Sequence, residues 1–372
     1  MPDSGRGYFD RPLLERYRPH LVYDCQYDYR ATAAETMVEN RGNVLRGFDD
    51  EIIAVAGGTP PLTLDLLTDY PPGREPDADD NLCAAPSRVA DARRMEAQYG
   101  HGVYGRIVDA GGYRWLQYWL WLYDNPKNIR GVGRHEGDWE FVQVGLDAAG
   151  VPARVTLSQH QGGEGRDAKD VDHDAADGGW HPIVYVAPLS HACYFEARSH
   201  AYILGIDHPY GDGTMLQPAV WEFGDWADWP GRWGNSEWAV IKQGAGPRSP
   251  GRQTQRWRSP DTFDSKASGA GRGLLGVLVH LLGYLSAPPP PSIAAQRRPT
   301  GVHVEYELHR ARHLYITLHR GDNIVRGRAL YNARKKDVAL FPMTVVPDGL
   351  VVHASAFNRF RQRSDRVEQP LA

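Results

Sequence analysis

The spacing of apolar residues predicts β-strands along most of the chain. The segment 113–123, YRWLQYWLWLY, is dense in aromatic residues and is typical of a buried strand. Segments 138–146, 151–158 and 181–189 are apolar or alternate between apolar and polar residues, and turns separate them. The pattern therefore predicts a mainly β fold, an antiparallel β-sandwich with long loops.

A change in composition divides the chain into a large and a small domain. Residues 246–271 are rich in Gly, Ser, Pro and Arg, and a run of four prolines occupies 288–291. We therefore expect a first domain over 1–263 with an N-terminal extension, and a linker over 264–300. Alternation resumes at residue 301, which predicts a small β-sandwich-like domain over 301–372.

The predicted linker contains a short apolar segment, 274–285, with the sequence LLGVLVHLLGYL. It is shorter than the roughly 20 residues that a membrane-spanning helix needs. Two interpretations remain open for it, a buried helix and a peripheral contact with a membrane surface or a partner.

Composition restricts the broad class of protein. The chain has 372 residues, 41% of them hydrophobic, which is enough to form a substantial core. Its formal net charge of −4 gives no case for nucleic-acid binding. The three cysteines form no readable disulfide or zinc pattern. With neither a signal peptide nor a transmembrane segment visible, we expect a cytoplasmic protein.

A candidate site lies in residues 134–144, RHEGDWEFVQV. Side chains at positions i and i+2 of a strand share a face, so Asp138 and Glu140 should lie side by side. Two adjacent carboxylates are unfavourable unless a cation or a shared proton offsets them. His135 precedes them in a glycine-containing turn and can reach the same face. The group predicts a metal or acid–base cluster, and the alternative is an exposed acidic strand end.

Two further histidines follow predicted strands. His160 follows the strand 151–158, and His191 follows the strand 181–189. If these strands are neighbours of the strand 138–146, their ends meet at one edge of the sheet. His135, His160 and His191 would then converge on the carboxylate pair.

Several motifs resemble the vacuolar protein sorting-associated protein 62 family, including its bacterial relatives. They are YWLWLYDNP, GRHEGDWEFVQV, SQHQGG, PIVYVAPLSHACYF and WPGRWGNS, and the resemblance extends over about residues 16–263. A more distant similarity is to the necrosis- and ethylene-inducing-like cytolysins, whose hallmark is the heptapeptide GHRHDWE. The corresponding stretch here, 133–140, is one residue longer and lacks the second histidine of the heptapeptide.

The cytolysin resemblance implies a β-sandwich with a divalent cation at one edge. Transferred by motif, the metal-binding residues would be Asp124, Asp138 and Glu140, with His135 and His191 near the ion. The cytolysins bind sphingolipid head groups at membranes, and they are secreted, whereas this chain has no visible signal peptide. The resemblance to the sorting-related family implies no particular activity.

Three functions follow from the same cluster and remain open. The first is a binding protein in which Ca²⁺ or Mg²⁺ on carboxylates helps to recognise a small polar ligand, a lipid head group or a glycan. The second is a metal-dependent hydrolase in which Zn²⁺ or Fe²⁺ activates water. The third is a structural or interaction protein whose cluster only ties loops together. Ligand type separates the first two, because carboxylates favour Ca²⁺ and histidines favour Zn²⁺.

Overall fold

The fold is that of a computed structural model, which divides the chain into two compact units. Unit 1 comprises Met1–Arg198 and Leu204–Ala270, and unit 2 comprises Ser199–Ile203 and Gly271–Ala372. The structure describes residues 7–24, 30–47, 51–84, 97–125, 135–159, 162–188, 190–202, 205–207, 209, 211, 213–234, 246–265, 288–311, 313–321, 323–330, 333–357 and 364–371.

The mainly β prediction is confirmed, since strands account for most of the regular structure. Up to residue 233 the strands are β1 (His20–Tyr23), β2 (Val44–Arg46), β3 (Ile52–Val55), β4 (Asn81–Cys83), β5 (Gly102–Ala110), β6 (Tyr113–Asn125), β7 (His135–Leu146), β8 (Pro152–Gln159), β9 (Gly162–Asp167), β10 (His173–Asp174), β11 (His181–Val186), β12 (Cys193–Tyr194), β13 (His200–Tyr202), β14 (Gly205–Asp207), β15 (Thr214–Leu216), β16 (Ala219–Glu222) and β17 (Arg232–Trp233).

The helices of unit 1 are short. They are α1 (Arg11–Tyr17), α2 (Glu35–Glu39), α3 (Thr254–Arg258) and α4 (Pro260–Ser265), with 3₁₀ turns at Asp65–Leu67, Ala168–Asp170, Asp225–Asp228 and Pro250–Arg252. Helix α1 begins after Asp10, whose carboxylate accepts the backbone N–H of Leu13 at 3.1 Å. It ends at Tyr17, and Arg18 is extended, because the proline that follows disfavours a helical conformation at Arg18.

Unit 1 has three β layers rather than the two of the predicted sandwich. Its central sheet has the order β16-β5-β6-β7-β8-β9. One face of it packs against the sheet β17-β4-β2-β3, and the other against the sheet β10-β11-β1-β15, in which β12 pairs with β11. The pairs β1–β11, β16–β5 and β17–β4 are parallel, so the sheets are mixed and not wholly antiparallel.

The composition of β6 explains the third layer. Trp119 and Trp121 point into one core, which a large aromatic cluster fills, while Leu120 and Leu122 point into the aliphatic core on the opposite face. A strand that is apolar on both faces must be covered on both faces. The sequence did not indicate the additional layer, because a run of apolar residues does not distinguish one covered face from two.

Unit 2 contains the strands β18 (Ser292–Arg298), β19 (Gly301–Glu307), β20 (His313–Arg320), β21 (Asn323–Leu330), β22 (Lys336–Pro342), β23 (Leu350–Phe357) and β24 (Val367–Pro370). They form two antiparallel sheets, β18-β19-β22 and β21-β20-β23-β24, which share one core. Strand β18 lies in the predicted linker 264–300 and pairs with β19. The independent folding of the predicted domains 1–263 and 301–372 stays a prediction.

Two of the sequence predictions lie outside the described residues, namely the apolar segment 274–285 and His160. Within the described part of the chain, no helix combines the length and the apolar character needed to cross a membrane.

A pair of stacked histidines joins β1 to β11. The rings of His20 and His181 lie 4.7 Å apart and are inclined by 3°. His181 is held at both nitrogens, since Nδ1 lies 2.8 Å from the Arg18 carbonyl oxygen and Nε2 lies 2.8 Å from Asp177 Oδ1. His20 is buried, its nitrogens have no hydrogen-bond partner among the described residues, and Nδ1 lies 3.4 Å from Asp174 Oδ2.

We predict that acid destabilises the protein in part through His20. Burial and the neighbouring His181 lower the pKa of His20, so the unfolded chain binds a proton more readily than the folded one. The free energy of unfolding should therefore fall as the pH drops below about 6.5, the pKa of an unperturbed histidine. His20→Phe keeps a ring on His181 without a titrating group. In urea unfolding between pH 7 and pH 5, it should lose less stability than the parent protein or a His303→Phe control. Equal losses in all three proteins would contradict this origin.

Candidate functional site

The candidate site lies where β6 ends and β7 begins. In the antiparallel pairing of these strands, Leu122 lies opposite Asp138 and Asn125 lies opposite His135. Gly137 adopts a left-handed conformation with φ of 65°. A Cβ at this position would overlap the Trp121 ring and lie 2.6 Å from the Trp233 carbonyl oxygen. Only glycine allows the backbone to approach these two tryptophans so closely at the start of β7.

Asp138 is the centre of the described part of the site. Its side chain is 10% exposed. Its Oδ2 accepts a hydrogen bond from Asn125 Nδ2 at 3.1 Å and from His191 Nδ1 at 3.0 Å. Burial raises the pKa of this carboxyl, but the hydrogen bond from His191 and the charges of His135 and His191 lower it by more. The net pKa lies below its usual value, and Asp138 is a carboxylate at neutral pH.

His191 reaches Asp138 from the loop between β11 and β12. It is fully buried, and its φ of 57° is left-handed, which is uncommon for a residue other than glycine. Its backbone N–H donates to the Ala187 carbonyl at 3.0 Å, and the N–H of Ala187 donates to the Ala192 carbonyl at 3.0 Å. The closed loop holds the imidazole against Asp138. Such local strain is common at functional sites.

Glu140 follows Asp138 on the same face of β7, as the strand pleat predicts. It is buried, and its Oε2 accepts a short hydrogen bond from the Ser158 hydroxyl. The same hydroxyl accepts the backbone N–H of Phe141 at 2.7 Å. Arg256 Nη1 lies 4.0 Å from Glu140 Oε2, so a cation from α3 partly balances this carboxylate.

The Cys193 thiol lies close enough to Asp138 and Glu140 for both carboxylates to affect its pKa. The thiol is fully buried in β12, and burial raises its pKa, as do the negative charges of Glu140 and Asp138. Both carboxylates therefore act on one point of the neighbouring layer. The thiol remains protonated at neutral pH and is a poor nucleophile there.

The two other residues of the predicted metal set occupy the rim of this cluster. His135 is half-buried, and its Nδ1 lies 2.6 Å from the Gly137 carbonyl oxygen. Donation from Nδ1 to this carbonyl leaves the lone pair of the neutral ring on Nε2. Asp124 is buried in β6, opposite Glu136 and two residues beyond Leu122. The pleat of β6 places Asp124 on the face of Leu122.

The site contains residues that sequence reasoning missed. Asn125 immediately follows the predicted ligand Asp124, and Ser158 begins the quoted motif SQHQGG. Arg256 lies within 246–271, whose composition favoured a linker, although α3 places it beside Glu140. Of the predicted set, His135, Asp138 and His191 interact, while His160 lies outside the described residues.

No group of three or more His, Cys, Asp or Glu side chains has the geometry of a metal site, as far as the chain is described. His191 is hydrogen-bonded to Asp138, and Glu140 is hydrogen-bonded to Ser158. These side chains therefore contact protein groups and are not arranged around a common point. The metal-binding roles assigned from the sequence therefore stay predictions.

Comparison with known proteins confirms the resemblance seen in the motifs. The profile of the family described as vacuolar protein sorting-associated protein 62 matches residues 126–210. This segment includes the positions of His135, Asp138, Glu140 and His191, whereas Asp124 precedes it. No curated protein matches the chain in sequence.

Solved structures of necrosis- and ethylene-inducing proteins are also similar to the chain. NLPPya in complex with glucosamine is 19% identical with a TM-score of 0.32, over 60% of this chain and 77% of that one. NLPPya in complex with mannosamine is 18% identical with a TM-score of 0.28, over 58% and 77%. Necrosis and Ethylene inducing Protein 2 from the causal agent of cocoa's witches' broom disease is 14% identical with a TM-score of 0.28, over 58% and 75%. A likeness of this degree determines neither the fold nor the ligand of the present chain.

We predict that the start of β7 requires Gly137. Gly137→Ala should cost about 1–2 kcal/mol for its left-handed backbone and about 1–3 kcal/mol more for crowding against Trp121 and Trp233. Gly150→Ala is the matched control, because Gly150 has φ of 77° and a Cβ there would meet nothing within 4 Å. Urea unfolding should show the larger loss for Gly137→Ala. Equal losses would mean that β7 shifts to relieve the overlap.

Proposed function

We propose that unit 1 binds a divalent cation at the Asp138 end of its central sheet and uses it to recognise a polar head group or a glycan-type ligand. The main support for this proposal is the ionisation, burial and hydrogen bonding of the Asp138 carboxylate. Its carboxylate is ionised and almost buried, and every hydrogen bond that it makes to the described residues is on Oδ2. Oδ1 therefore keeps lone pairs for a cation, and the remaining exposure of the side chain provides access.

The donor set around Asp138 favours a hard cation. Asp124 and Glu140 are also buried carboxylates and are the proposed companion ligands. Asp138 and Glu140 lie at positions i and i+2 of β7, and Asp124 lies on the neighbouring strand β6. Three such carboxylates repel one another strongly in a low-dielectric environment unless positive charge is added. Oxygen ligands of this kind are those that Ca²⁺ and Mg²⁺ prefer.

The two histidines near Asp138 can orient its carboxylate, or they can bind the ion themselves and so favour a different metal. His191 fixes the Asp138 carboxylate through Oδ2, as outer partners of metal-binding carboxylates commonly do. His135 lies close enough to Asp138 to lower the pKa of that carboxyl when the imidazole is protonated. In the neutral ring, donation from Nδ1 to the Gly137 carbonyl leaves Nε2 as the lone-pair nitrogen. If His135 and His191 were themselves to bind the ion, Zn²⁺ or Fe²⁺ would replace the harder cation.

A cation held by three carboxylates keeps open positions. Ca²⁺ takes about six to eight oxygen ligands, more than three side chains provide. The hydroxyl oxygens of a sugar or the oxygens of a lipid head group can occupy the remaining positions. The proposed ligand is therefore small, polar and rich in oxygen.

We predict that removing Asp138 removes the metal and the stability that it confers. A cation bound only to the folded state stabilises it by about 2.7 kcal/mol at a hundredfold excess over its dissociation constant. EDTA should therefore lower the melting temperature of the parent protein. Asp138→Asn should contain less metal by elemental analysis and should melt at the same temperature with and without EDTA.

Asp69→Asn provides the matched control, since Asp69 is an exposed carboxylate of unit 1 outside the cluster. This variant should keep both the metal and the response to EDTA. A parent protein that contains no metal after dialysis against Ca²⁺, Mg²⁺ or Zn²⁺, and whose melting EDTA does not change, would contradict the proposal.

A further inference from the structure

A cleft lies at the opposite end of the central sheet from Asp138. Its volume is about 950 Å³. Its walls are one face of α1, the turn between β5 and β6, the turn between β7 and β8, and residues 178–180. Strand β6 starts in this cleft at Tyr113 and ends at the candidate site, about 40 Å away at 3.3 Å per residue. The cleft is therefore separate from the proposed cation site.

Aromatic and apolar side chains form its walls. Tyr113 and Trp180 are half-buried, so part of each ring faces solvent. The backbone N–H of Trp180 donates to the Arg16 carbonyl at 2.9 Å, and its ring stacks on His173 with centroids 5.0 Å apart. These contacts hold the Trp180 ring in place before any ligand binds. Leu13 adds an apolar surface from α1.

Polar groups with balanced charge lie between the rings. Arg114 Nε pairs with Asp109 Oδ1 at 3.0 Å, and Asp147 Oδ1 accepts the backbone N–H groups of Ala149 and Val151 at 2.9 Å each. Arg16 is exposed, and none of the described acidic side chains forms an ion pair with it. The two arginines and the two aspartates sum to zero charge.

The turns also present backbone to the cleft. A Cβ placed on Gly112, Gly150 or Gly178 would meet nothing within 4 Å, so these turns leave space beside their backbone. The N–H groups of Gly150 and Gly178 are used within the turns, since they donate to the carbonyls of Asp147 and Ala175. The Tyr17 hydroxyl donates to the Gly150 carbonyl at 3.0 Å and fixes the turn between β7 and β8 against α1. This wall of the cleft therefore has a fixed position and leaves room for a ligand.

We propose that this cleft is a second binding site and that it takes an uncharged carbohydrate. Ring faces match the C–H faces of a pyranose, and the Asp and Arg side chains of the lining match its hydroxyls. The zero net charge of the lining disfavours a phosphate or a carboxylate ligand, which would need an excess of cations. The volume is within the range of small-molecule sites. Binding here needs no cation.

The test is calorimetric titration of the full chain, in EDTA, with maltotriose, cellotriose and N,N′-diacetylchitobiose. We expect saturable binding of at least one of these sugars. Trp180→Ala should weaken that binding about tenfold, which corresponds to about 1.4 kcal/mol for one lost aromatic face. Trp180→Phe should retain part of the affinity because it keeps a ring.

Two further variants guard against a loss of binding through misfolding. Arg16→Gln changes an exposed side chain of the cleft and should weaken binding several-fold without altering the melting temperature. Met215→Ala changes a side chain that is 49% exposed and outside the cleft, and it should bind as the parent protein does.

The outcomes separate this site from the proposed cation site. Sugar binding that persists in Asp138→Asn and in EDTA, but weakens in Trp180→Ala and Arg16→Gln, supports the cleft. Binding that requires a cation and is lost only in Asp138→Asn places the sugar at the other end of the sheet and overturns this proposal. Absence of binding of all three sugars to the parent protein overturns it as well.

Discussion

Burial of both faces of β6 and β7 is the constraint on which the structure of unit 1 depends. Trp119, Trp121 and Phe141 fill one core, and Leu120, Leu122 and Val142 fill the other. Each face needs its own covering layer, because exposed apolar surface of this extent is costly in water. The three layers follow from this requirement.

The same constraint gives the polar residues of β7 their character. Because both faces are covered, Asp138 and Glu140 enter a desolvated environment and must be compensated by neighbouring groups. Asn125 and His191 compensate Asp138, while Ser158 and Arg256 compensate Glu140. Carboxylates that are buried at this cost, in a strand that could have remained apolar, favour the proposed cation site over a purely structural role.

Sequence alone could predict the strands and the carboxylate pair, because a period of two residues determines which side chains share a face. The left-handed His191 and the approach of Arg256 could not be predicted, since both depend on contacts between residues far apart in the sequence. The third layer was missed because continuous apolar runs do not reveal how many faces are covered.

Anomalous diffraction from crystals grown with Mn²⁺, a substitute for Ca²⁺ or Mg²⁺, would show directly whether a cation binds at Asp138. We expect an anomalous peak beside Oδ1 of Asp138, within coordination distance of Glu140 or Asp124, with His191 still hydrogen-bonded to Oδ2. A map without a peak at this end of the sheet, while Asp138 keeps only Asn125 and His191 as partners, would contradict it. The cluster would then be a buried hydrogen-bond network without a metal.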